Sequence, residues 1–310
     1  MNPKQRIIAA LKRQQPDDIV PTFEFSFGLT NALLGKDFIN LDGLTGKELE
    51  NGIKHNVELH VEAAERLDYS AITVGDIRII QELVQMGVDK TYLLTYKNGD
   101  RTWRFYGEDN ITEACWRLFE NPDEFKRKLD KDVNASIEGA KRLIDAGVEC
   151  VVMGADYATT KGPFLSPKMF AEFIAPYLQR TISSHQQNGA YVIKHTDGDI
   201  MPILDQIVAC SPDALHSIDP TAGMDMAVVK KLIGAKVCIA GNVDCAALVK
   251  GAKEDIKKSA LYCLKHGKPG GGYIFMSSNS VFPPMKLDDY LIALEMRKKY
   301  GRYDEEVEIP

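Results

Sequence analysis

Short apolar runs alternate with longer amphipathic segments from about residue 140 to the C-terminal region. Each run is rich in β-branched residues and is followed by a polar loop and then by a helical pattern of apolar positions. Runs that are apolar throughout are typical of parallel strands covered on both faces. The pattern therefore predicts five strands, at residues 150–155, 190–195, 214–218, 236–241 and 272–276.

The N-terminal half repeats the same scheme less regularly. Two further strands are predicted at 19–24 and 69–75, separated by a helix over 49–67 that follows Thr45 and Glu48 at the spacing of a capping box. Asn121-Pro122 and Ser166-Pro167 mark the starts of two later helices, the second over 168–187. Strands alternating with helices predict an α/β fold, a single (β/α)8 TIM-type barrel, although these segments supply one strand fewer than eight.

The segment 91–106 has a different pattern. Two alternating runs flank Asn98-Gly99-Asp100, a strong signal for a hairpin turn. We therefore expect an inserted β-hairpin near residues 91–106 that lies over the barrel mouth or an interface. No proline- or serine-rich linker divides the chain, so residues 1–310 are expected to form one barrel domain.

Composition and charge exclude several classes of protein. Of the 310 residues, 45% are hydrophobic and 26% charged, which excludes disordered and fibrous chains. A net charge of −6 argues against nucleic acid as a partner. No apolar stretch is long enough for a membrane span or a signal core, so we expect a cytoplasmic protein without membrane contact. The six cysteines form no C-x-x-C pair and should be reduced; whether Cys245 belongs to a site stays open.

Polar residues end most of the predicted strands, where barrel enzymes place their active sites. The residues are Glu24, Asp76, Arg78, Asp156, His195, Asp197, His216, Asp219, Asn242, Asp244, Ser277, Ser278 and Asn279. A single strand-end aspartate is more often a helix cap, and Asp197, Asp199, Asp219 and Asp225 each have a helix to cap. His195 ends an apolar run, which favours a metal ligand or proton carrier. Gly270-Gly271-Gly272 precedes a strand, so it predicts a turn and no phosphate loop.

Several motifs together resemble the uroporphyrinogen decarboxylase superfamily, over most of the chain. They are Ile7 to Leu11 before Pro16-Asp17, Gly162-Pro163 through Ser166-Pro167, His195-Thr196-Asp197-Gly198, Gly241-Asn242-Val243-Asp244, and Gly270 to Ile274 followed by Ser277-Ser278-Asn279-Ser280. The resemblance implies a (β/α)8 barrel. It also implies one of two activities: decarboxylation of uroporphyrinogen, or transfer of methyl groups to or from a corrinoid protein.

The first strand argues against uroporphyrinogen as the substrate. True decarboxylases of the superfamily carry an arginine-rich segment there, which reads like Arg-Gln-Ala-Gly-Arg. This chain instead has Phe23-Glu24-Phe25-Ser26-Phe27-Gly28. A carboxylate in place of arginines would repel a tetrapyrrole rich in carboxylates.

The second branch offers a partial match. Thiol-directed methyltransferases of the superfamily bind zinc through a His-x-Cys pair and a later cysteine. His195 matches, but Asp197 replaces the first cysteine, and Ser277-Ser278-Asn279 occupies the later region. A set of histidine and carboxylate ligands suits a harder divalent metal acting as a Lewis acid on oxygen or nitrogen, with zinc as one candidate.

The resemblance therefore predicts a methyltransferase of the demethylase type, with cobalamin carried on a partner corrinoid protein. The methyl donor would be a small methylated molecule such as a methyl ether. His195, Asp197 and Glu24 would hold the metal, and Asp156 would donate a proton or position the substrate. The predicted substrate-binding residues are Phe23, Phe25 and Phe27, although alternate members of that run face different sides, and His216, Asn242, Ser278 and Asn279.

Two alternatives stay open. The chain could be a decarboxylase that acts without cofactor on a small carboxylate, with Asp76 or Asp156 stabilising a protonated intermediate and Arg78 holding a carboxylate. It could also be a binding or scaffold protein that has kept the barrel and lost catalysis. Decarboxylases of this superfamily often pair, so the resemblance suggests a homodimer as one assembly.

Overall fold

The computed structural model describes residues 1–103 and 111–307. The strands are β1 (Ala71–Thr73), β2 (Leu93–Gly99), β3 (Cys150–Gly154), β4 (Ala158–Thr159), β5 (Gly162–Pro163), β6 (Tyr191–Thr196), β7 (Ala214–Ser217), β8 (Cys238–Val243) and β9 (Tyr273–Ser277). The helices are α1 (Pro3–Leu11), α2 (Thr30–Leu34), α3 (Gly46–Arg66), α4 (Ile77–Gln85), α5 (Ile111–Glu120), α6 (Pro122–Asp145), α7 (Pro167–Phe173), α8 (Ala175–Gln187), α9 (Leu204–Ala209), α10 (Met226–Ile233), α11 (Cys245–Lys250), α12 (Lys253–Gly267) and α13 (Leu287–Tyr300).

Seven strands form one curled parallel sheet in the order β1-β2-β3-β6-β7-β8-β9. Strands β4 and β5 form a separate antiparallel hairpin after β3. Strands β3, β7 and β8 are buried along nearly their whole length, as the continuous apolar runs predicted. The α/β architecture of a TIM-type barrel is confirmed.

The predicted first strand, 19–24, closes the sheet through isolated bridges. Thr22 pairs in parallel with Phe275 of β9, and the Phe275 N–H donates to the Pro21 carbonyl at 2.9 Å. On the other side, the Ser70 N–H donates to the Thr22 carbonyl at 2.7 Å. Because proline lacks an N–H group, Pro21 cannot extend a regular ladder. This segment therefore joins β9 to the region of β1 without forming a long strand.

The predicted turn at Asn98-Gly99-Asp100 is wrong. Strand β2 runs through Asn98 and Gly99 and pairs in parallel with both β1 and β3. Pairing with β3 outweighs the local turn preference of Asn98-Gly99. Residues 104–106, the second half of the predicted hairpin, lie outside the described residues. Strand β2 thus supplies the strand that the sequence interpretation lacked.

A buried ion pair fixes the end of β2 against β6. Lys194 Nζ lies 2.8 Å from Asp100 Oδ2, and both side chains are fully buried. Tyr157 donates its hydroxyl to the same oxygen at 2.8 Å. Burial raises the pKa of Asp100, but the charge of Lys194 and the hydrogen bonds from Lys194 and Thr102 together outweigh it, so the pKa is lowered overall. The pair compensates both charges inside the protein.

The helix ends agree with the sequence in most places. Asn121 and Ser166 cap α6 and α7 by accepting from backbone N–H groups. Thr45 precedes α3 but forms no side-chain cap, so the predicted capping box is absent. The single helix predicted over 168–187 is divided into α7 and α8 at Ile174, where Pro176 occupies the first turn of α8.

Three consecutive glycines make the turn that leads into β9. Gly270, Gly271 and Gly272 all have positive φ, at 76°, 75° and 61°. A Cβ atom at Gly271 would lie 2.4 Å from the carbonyl oxygen of Gln14. Only glycine adopts this conformation at so close an approach, which explains the motif as a turn.

All six cysteines are free, and four of them are buried. In the part of the chain that the structure describes, no helix is long and apolar enough to cross a membrane.

Candidate active site

The strand-end polar residues converge at the mouth of the barrel. His195 on β6 is aligned with Gly154 on β3 and with His216 on β7. Aligned residues on neighbouring strands point to the same face of a sheet, and the two imidazole centroids lie 5.0 Å apart. Asp156 and Asp197 follow the ends of β3 and β6. These strands therefore bring histidine and carboxylate groups to one point.

His195, Asp156 and Asp197 form the core of the site. One possible ligand atom from each lies within 4.8 Å of the others. His195 Nε2 is 3.9 Å from Asp156 Oδ1 and 3.8 Å from Asp197 Oδ2. The Asp197 backbone N–H donates to Asp156 Oδ1 at 3.0 Å, which ties the two loops together. The Asp156 side chain is 51% exposed, so the cluster opens to solvent on that side.

A chain of hydrogen bonds fixes the tautomer of His195. His216 Nε2 lies 2.9 Å from the Ser277 carbonyl oxygen, which can only accept, so Nε2 carries a hydrogen. In a neutral imidazole the other nitrogen then accepts, and His216 Nδ1 lies 2.8 Å from His195 Nδ1. His195 Nδ1 is therefore the donor, and its Nε2 presents a lone pair to the carboxylates.

Both histidines are held neutral. Burial lowers the pKa of His195 to about 3, and the charges of Lys194 and Lys97 act in the same direction. Burial also lowers the pKa of His216 far below its usual value, with His195 adding to the effect. Neutral imidazole is the form that binds metal ions.

Of the two carboxylate oxygens of Asp197, Oδ2 accepts a hydrogen bond from a described residue and Oδ1 does not. Asn279 Nδ2 donates to Asp197 Oδ2 at 2.6 Å. Burial, together with the charge of Asp156, raises the pKa of Asp197 to about 6. Ser217 is near enough to favour the ionised form. Among the described residues, however, no hydrogen bond of good geometry reaches the buried Oδ1.

Glu24, predicted as a metal ligand, does not join this cluster. Its Oε1 and Oε2 accept from the Ser277 N–H at 2.9 Å and the Ser277 hydroxyl at 2.7 Å. Tyr290 also donates to Oε1 at 3.2 Å and contacts the Tyr69 hydroxyl at 2.8 Å. Burial raises the pKa of Glu24 to about 7, against the opposite effect of these hydrogen bonds. Glu24 therefore holds the end of β9 through Ser277. Asp156, and not Glu24, is the third member of the cluster with His195 and Asp197.

The three predicted phenylalanines have different surroundings. Phe25 lies with its ring centroid 4.6 Å from that of His216. Phe23 is fully buried and packs edge-on against Phe25 at 5.5 Å. Phe27 packs against Tyr290 at 5.8 Å. Phe25 thus borders the histidine pair and Phe23 supports it from behind.

Asp76 and Arg78 pair with each other away from the histidines. Asp76 caps α4 by accepting from the Arg78 backbone N–H at 2.8 Å, and Arg78 Nη2 lies 2.5 Å from Asp76 Oδ2. The hydrogen bonds from Arg78 lower the pKa of Asp76. The two residues line a cavity with Tyr96, Arg101 and Arg142. The structure does not bring them to the cluster around His195.

Asn242 and Ser278 hold the neighbouring loops. Asn242 Nδ2 donates to the Ile218 carbonyl at 2.6 Å, and its Oδ1 accepts from the Cys263 thiol at 3.2 Å. Ser278 Oγ accepts from the Cys245 backbone N–H at 3.3 Å. Burial raises the pKa of Cys245, so its thiol is protonated at neutral pH.

Lys97 is a mouth residue that the hairpin interpretation concealed. A Cβ atom at Gly154 would lie 3.8 Å from Lys97 Cε and 3.7 Å from His195 Cδ2. The two side chains therefore border the same gap beside Gly154. The apolar residues Leu93 and Leu94, in the first run of the predicted hairpin, were the signal that could have identified β2 and its inward-facing lysine.

The cluster fits a divalent metal ion. Atoms that share one ion at about 2.0–2.2 Å lie at most about 4.4 Å apart, which the separations from His195 Nε2 satisfy. The buried Oδ1 of Asp197 accepts no hydrogen bond from the described residues, so a cation could satisfy it. The lone pair on His195 Nε2 follows from the hydrogen on Nδ1. A nitrogen with two carboxylates suits hard or borderline ions.

Comparison with known proteins identifies relatives of the chain. The family model for uroporphyrinogen decarboxylase (URO-D) matches residues 106–300. The uroporphyrinogen decarboxylase of Myxococcus xanthus is 26% identical over 184 residues, which cover 59% of this chain and 50% of the relative. That of Aliivibrio salmonicida is 26% identical over 207 residues, which cover 62% and 54%. The chain thus spans about half the length of the curated relatives it matches.

Solved structures share the fold at low sequence identity. A methyltransferase from Methanosarcina mazei superposes with a TM-score of 0.77 at 17% identity, covering 96% of this chain and 99% of that one. A B12-independent methionine synthase from Shewanella superposes with a TM-score of 0.54 at 12% identity, covering 91% and 97%. The barrel is common to these proteins, and the match of the family model over more than half of the sequence shows that the chain belongs to the uroporphyrinogen decarboxylase family.

Proposed function

We propose that the chain is a corrinoid-dependent methyltransferase. It would move a methyl group from a small methylated substrate, such as a methyl ether, to a corrinoid protein that carries cobalamin. The observation that carries the proposal is the cluster of His195, Asp156 and Asp197, in which a neutral imidazole directs a lone pair toward two carboxylates. The fold shared with the Methanosarcina mazei methyltransferase supports it.

The residues of the cluster have distinct tasks in this proposal. His195 Nε2, Asp197 and Asp156 hold a divalent ion, which would act as a Lewis acid on the leaving oxygen of the substrate. Asn279 fixes the Asp197 carboxylate, and His216 fixes the His195 ring. The half-exposed Asp156 marks the side from which substrate enters. Phe25 closes the opposite side of the imidazole pair with an apolar ring.

The relatives' name supports a second candidate, a decarboxylase that acts on a small carboxylate. Asp76 and Arg78 would be its acidic and carboxylate-binding residues. Their mutual hydrogen bonds neutralise the arginine before any substrate arrives. The Asp76–Arg78 pairing therefore favours the methyltransferase.

The test is methyl transfer to free cob(I)alamin, followed by visible absorbance under anaerobic conditions. The purified chain, supplied with zinc, is mixed with methyl ethers that include methoxybenzoates and methoxyacetate. We expect methylcobalamin to form with at least one donor, and His195→Ala to abolish it. No product over the whole panel, together with release of carbon dioxide from uroporphyrinogen or a small acid, would establish the decarboxylase instead.

A further inference from the structure

The mouth of the barrel contains a cation with no task in the cluster. Lys97 on β2 is aligned with Val152 on β3. Gly154, two residues further along β3, is aligned with His195 on β6. Side chains two residues apart on a strand share a face, so Lys97 points to the same interior as His195. The space above Gly154 agrees with this placement, because the side chains of Lys97 and His195 both come within 4 Å of the position that a Cβ atom of residue 154 would occupy.

The charge of Lys97 has no ion-pair partner among the residues that the structure describes. Within residues 1–103 and 111–307, no ion pair or hydrogen bond engages its ammonium group. Two other cations near the strand ends are neutralised, Lys194 by Asp100 and Arg78 by Asp76. The Lys97 side chain is exposed, so a ligand can reach it.

The chemistry of Lys97 points to an anionic group on the substrate. Asp156, Asp197 and the nearby Asp219 place three carboxylates around His195. Lys97 borders the gap beside His195 as a cation. An ammonium group binds a carboxylate through a charge-assisted hydrogen bond.

We propose that Lys97 binds a carboxylate of the substrate, so that the methylated substrate is an organic acid. Gly154 supplies the space between the ammonium group and His195, because it has no side chain to fill the gap. One end of the substrate is held at Lys97 while its methylated heteroatom lies at the cluster. This assignment of substrate class rests on the proposed methyl transfer.

The experiment measures binding without turnover. Isothermal titration calorimetry on the chain with one equivalent of zinc compares methoxyacetate and 4-methoxybenzoate with their neutral amides. In the wild type, we expect at least one carboxylate to bind about tenfold or more tightly than its amide. Lys97→Met should remove this preference and leave amide binding unchanged, whereas Lys97→Arg should retain it.

Lys231→Met is the matched control, since Lys231 is exposed on α10 away from the mouth. It should keep the wild-type preference, and thermal melting of all variants checks folding. The proposal is overturned if neither carboxylate binds more tightly than its amide, or if the preference survives Lys97→Met. A preference without methyl transfer would instead refute the proposed reaction and keep the carboxylate site.

Discussion

The Nε2 atom of His195 owes its lone pair to a residue outside the cluster. His216 accepts from His195 Nδ1 only because its own Nε2 hydrogen is committed to the Ser277 carbonyl. Removing His216 as the acceptor would let His195 carry its hydrogen on Nε2, where the hydrogen blocks metal binding. Such outer partners set the tautomer and basicity of ligating histidines.

His216→Phe should therefore weaken zinc binding by about 10–100-fold, since phenylalanine fills the space but cannot accept the hydrogen bond. Competition with a chelating dye measures the affinity, and 15N NMR of the metal-free chain should show His195 changing from the Nδ1–H to the Nε2–H tautomer. His266→Phe, on α12, is the control and should change neither. An unaltered tautomer in His216→Phe would contradict the hydrogen-bond chain.

Glu24 gives a second prediction, on stability. Its pKa is raised from an ordinary 4.5 to about 7, chiefly by burial, so the folded state retains a proton that the unfolded state has lost between these values. The stabilisation of the folded state by protonated Glu24 is fully present below pH 4.5 and is lost as the pH rises through about 7. The loss amounts to about 3 kcal/mol, from 1.36 kcal/mol for each unit of pKa.

Glu24→Gln removes the titrating group and keeps the shape. Urea denaturation at several pH values should show the wild type losing about 3 kcal/mol of unfolding free energy relative to Glu24→Gln between pH 4.5 and 8. Other titrating groups cancel in the comparison, because both proteins contain them. A difference that does not vary with pH would mean that Glu24 ionises normally in the folded protein.

At the scale of elements, the β4–β5 hairpin is seated on the loop that carries Asp197. The Asp199 N–H donates to the Thr159 carbonyl at 2.8 Å. Gly198 lies under the hairpin with φ of +89°, and a Cβ atom there would lie 2.6 Å from the Ala158 carbonyl oxygen. The absence of a side chain at Gly198 thus lets the hairpin hold the loop that carries Asp197 in place.

Gly198→Ala should push the hairpin away and disturb the cluster. Gly189→Ala is a matched control, because Gly189 has φ of +91° with nothing within 4 Å of its added Cβ. The control should cost about 1–2 kcal/mol of backbone strain alone, measured by urea denaturation. Gly198→Ala should cost more and should also weaken zinc binding. Equal effects of the two variants would show that the close approach has no consequence.

The sequence predicted most barrel strands because each has a continuous apolar run, and it predicted His195 and Asp197 because they end such a run. It missed β2 despite the apolar residues Leu93 and Leu94, since Asn98-Gly99 favours a turn locally and the pairing of these two residues with β3 selects the strand. The role of Glu24 was hidden for a similar reason: its partners, Ser277 and Tyr290, are far away in sequence. Such contacts depend on register and closure, which local patterns do not contain.

At the scale of the whole molecule, the two ends of the chain close the barrel together. The Val20 N–H donates to the Gly301 carbonyl at 3.0 Å, beside a bridge between Ile19 and Arg302. Arg297 on α13 is 2% exposed and donates to the Val20 carbonyl at 2.7 Å and to Asp68 at 2.8 Å. One connected apolar core contains residues from both ends of the chain. We therefore expect the described parts of the chain to unfold as one unit.

Arg297→Met tests this coupling, because it leaves the buried Val20 carbonyl without its donor and removes one partner of Asp68. The loss of the Val20 hydrogen bond should lower the unfolding free energy by about 1–3 kcal/mol. Far-ultraviolet circular dichroism and tyrosine fluorescence should still report a single, coincident urea transition. Lys298→Met, at the exposed neighbouring position, should match the wild type. Two separate transitions in Arg297→Met would show that the N-terminal segment and β9 are stable independently. The rest of the barrel would then fold without being closed by the two ends of the chain.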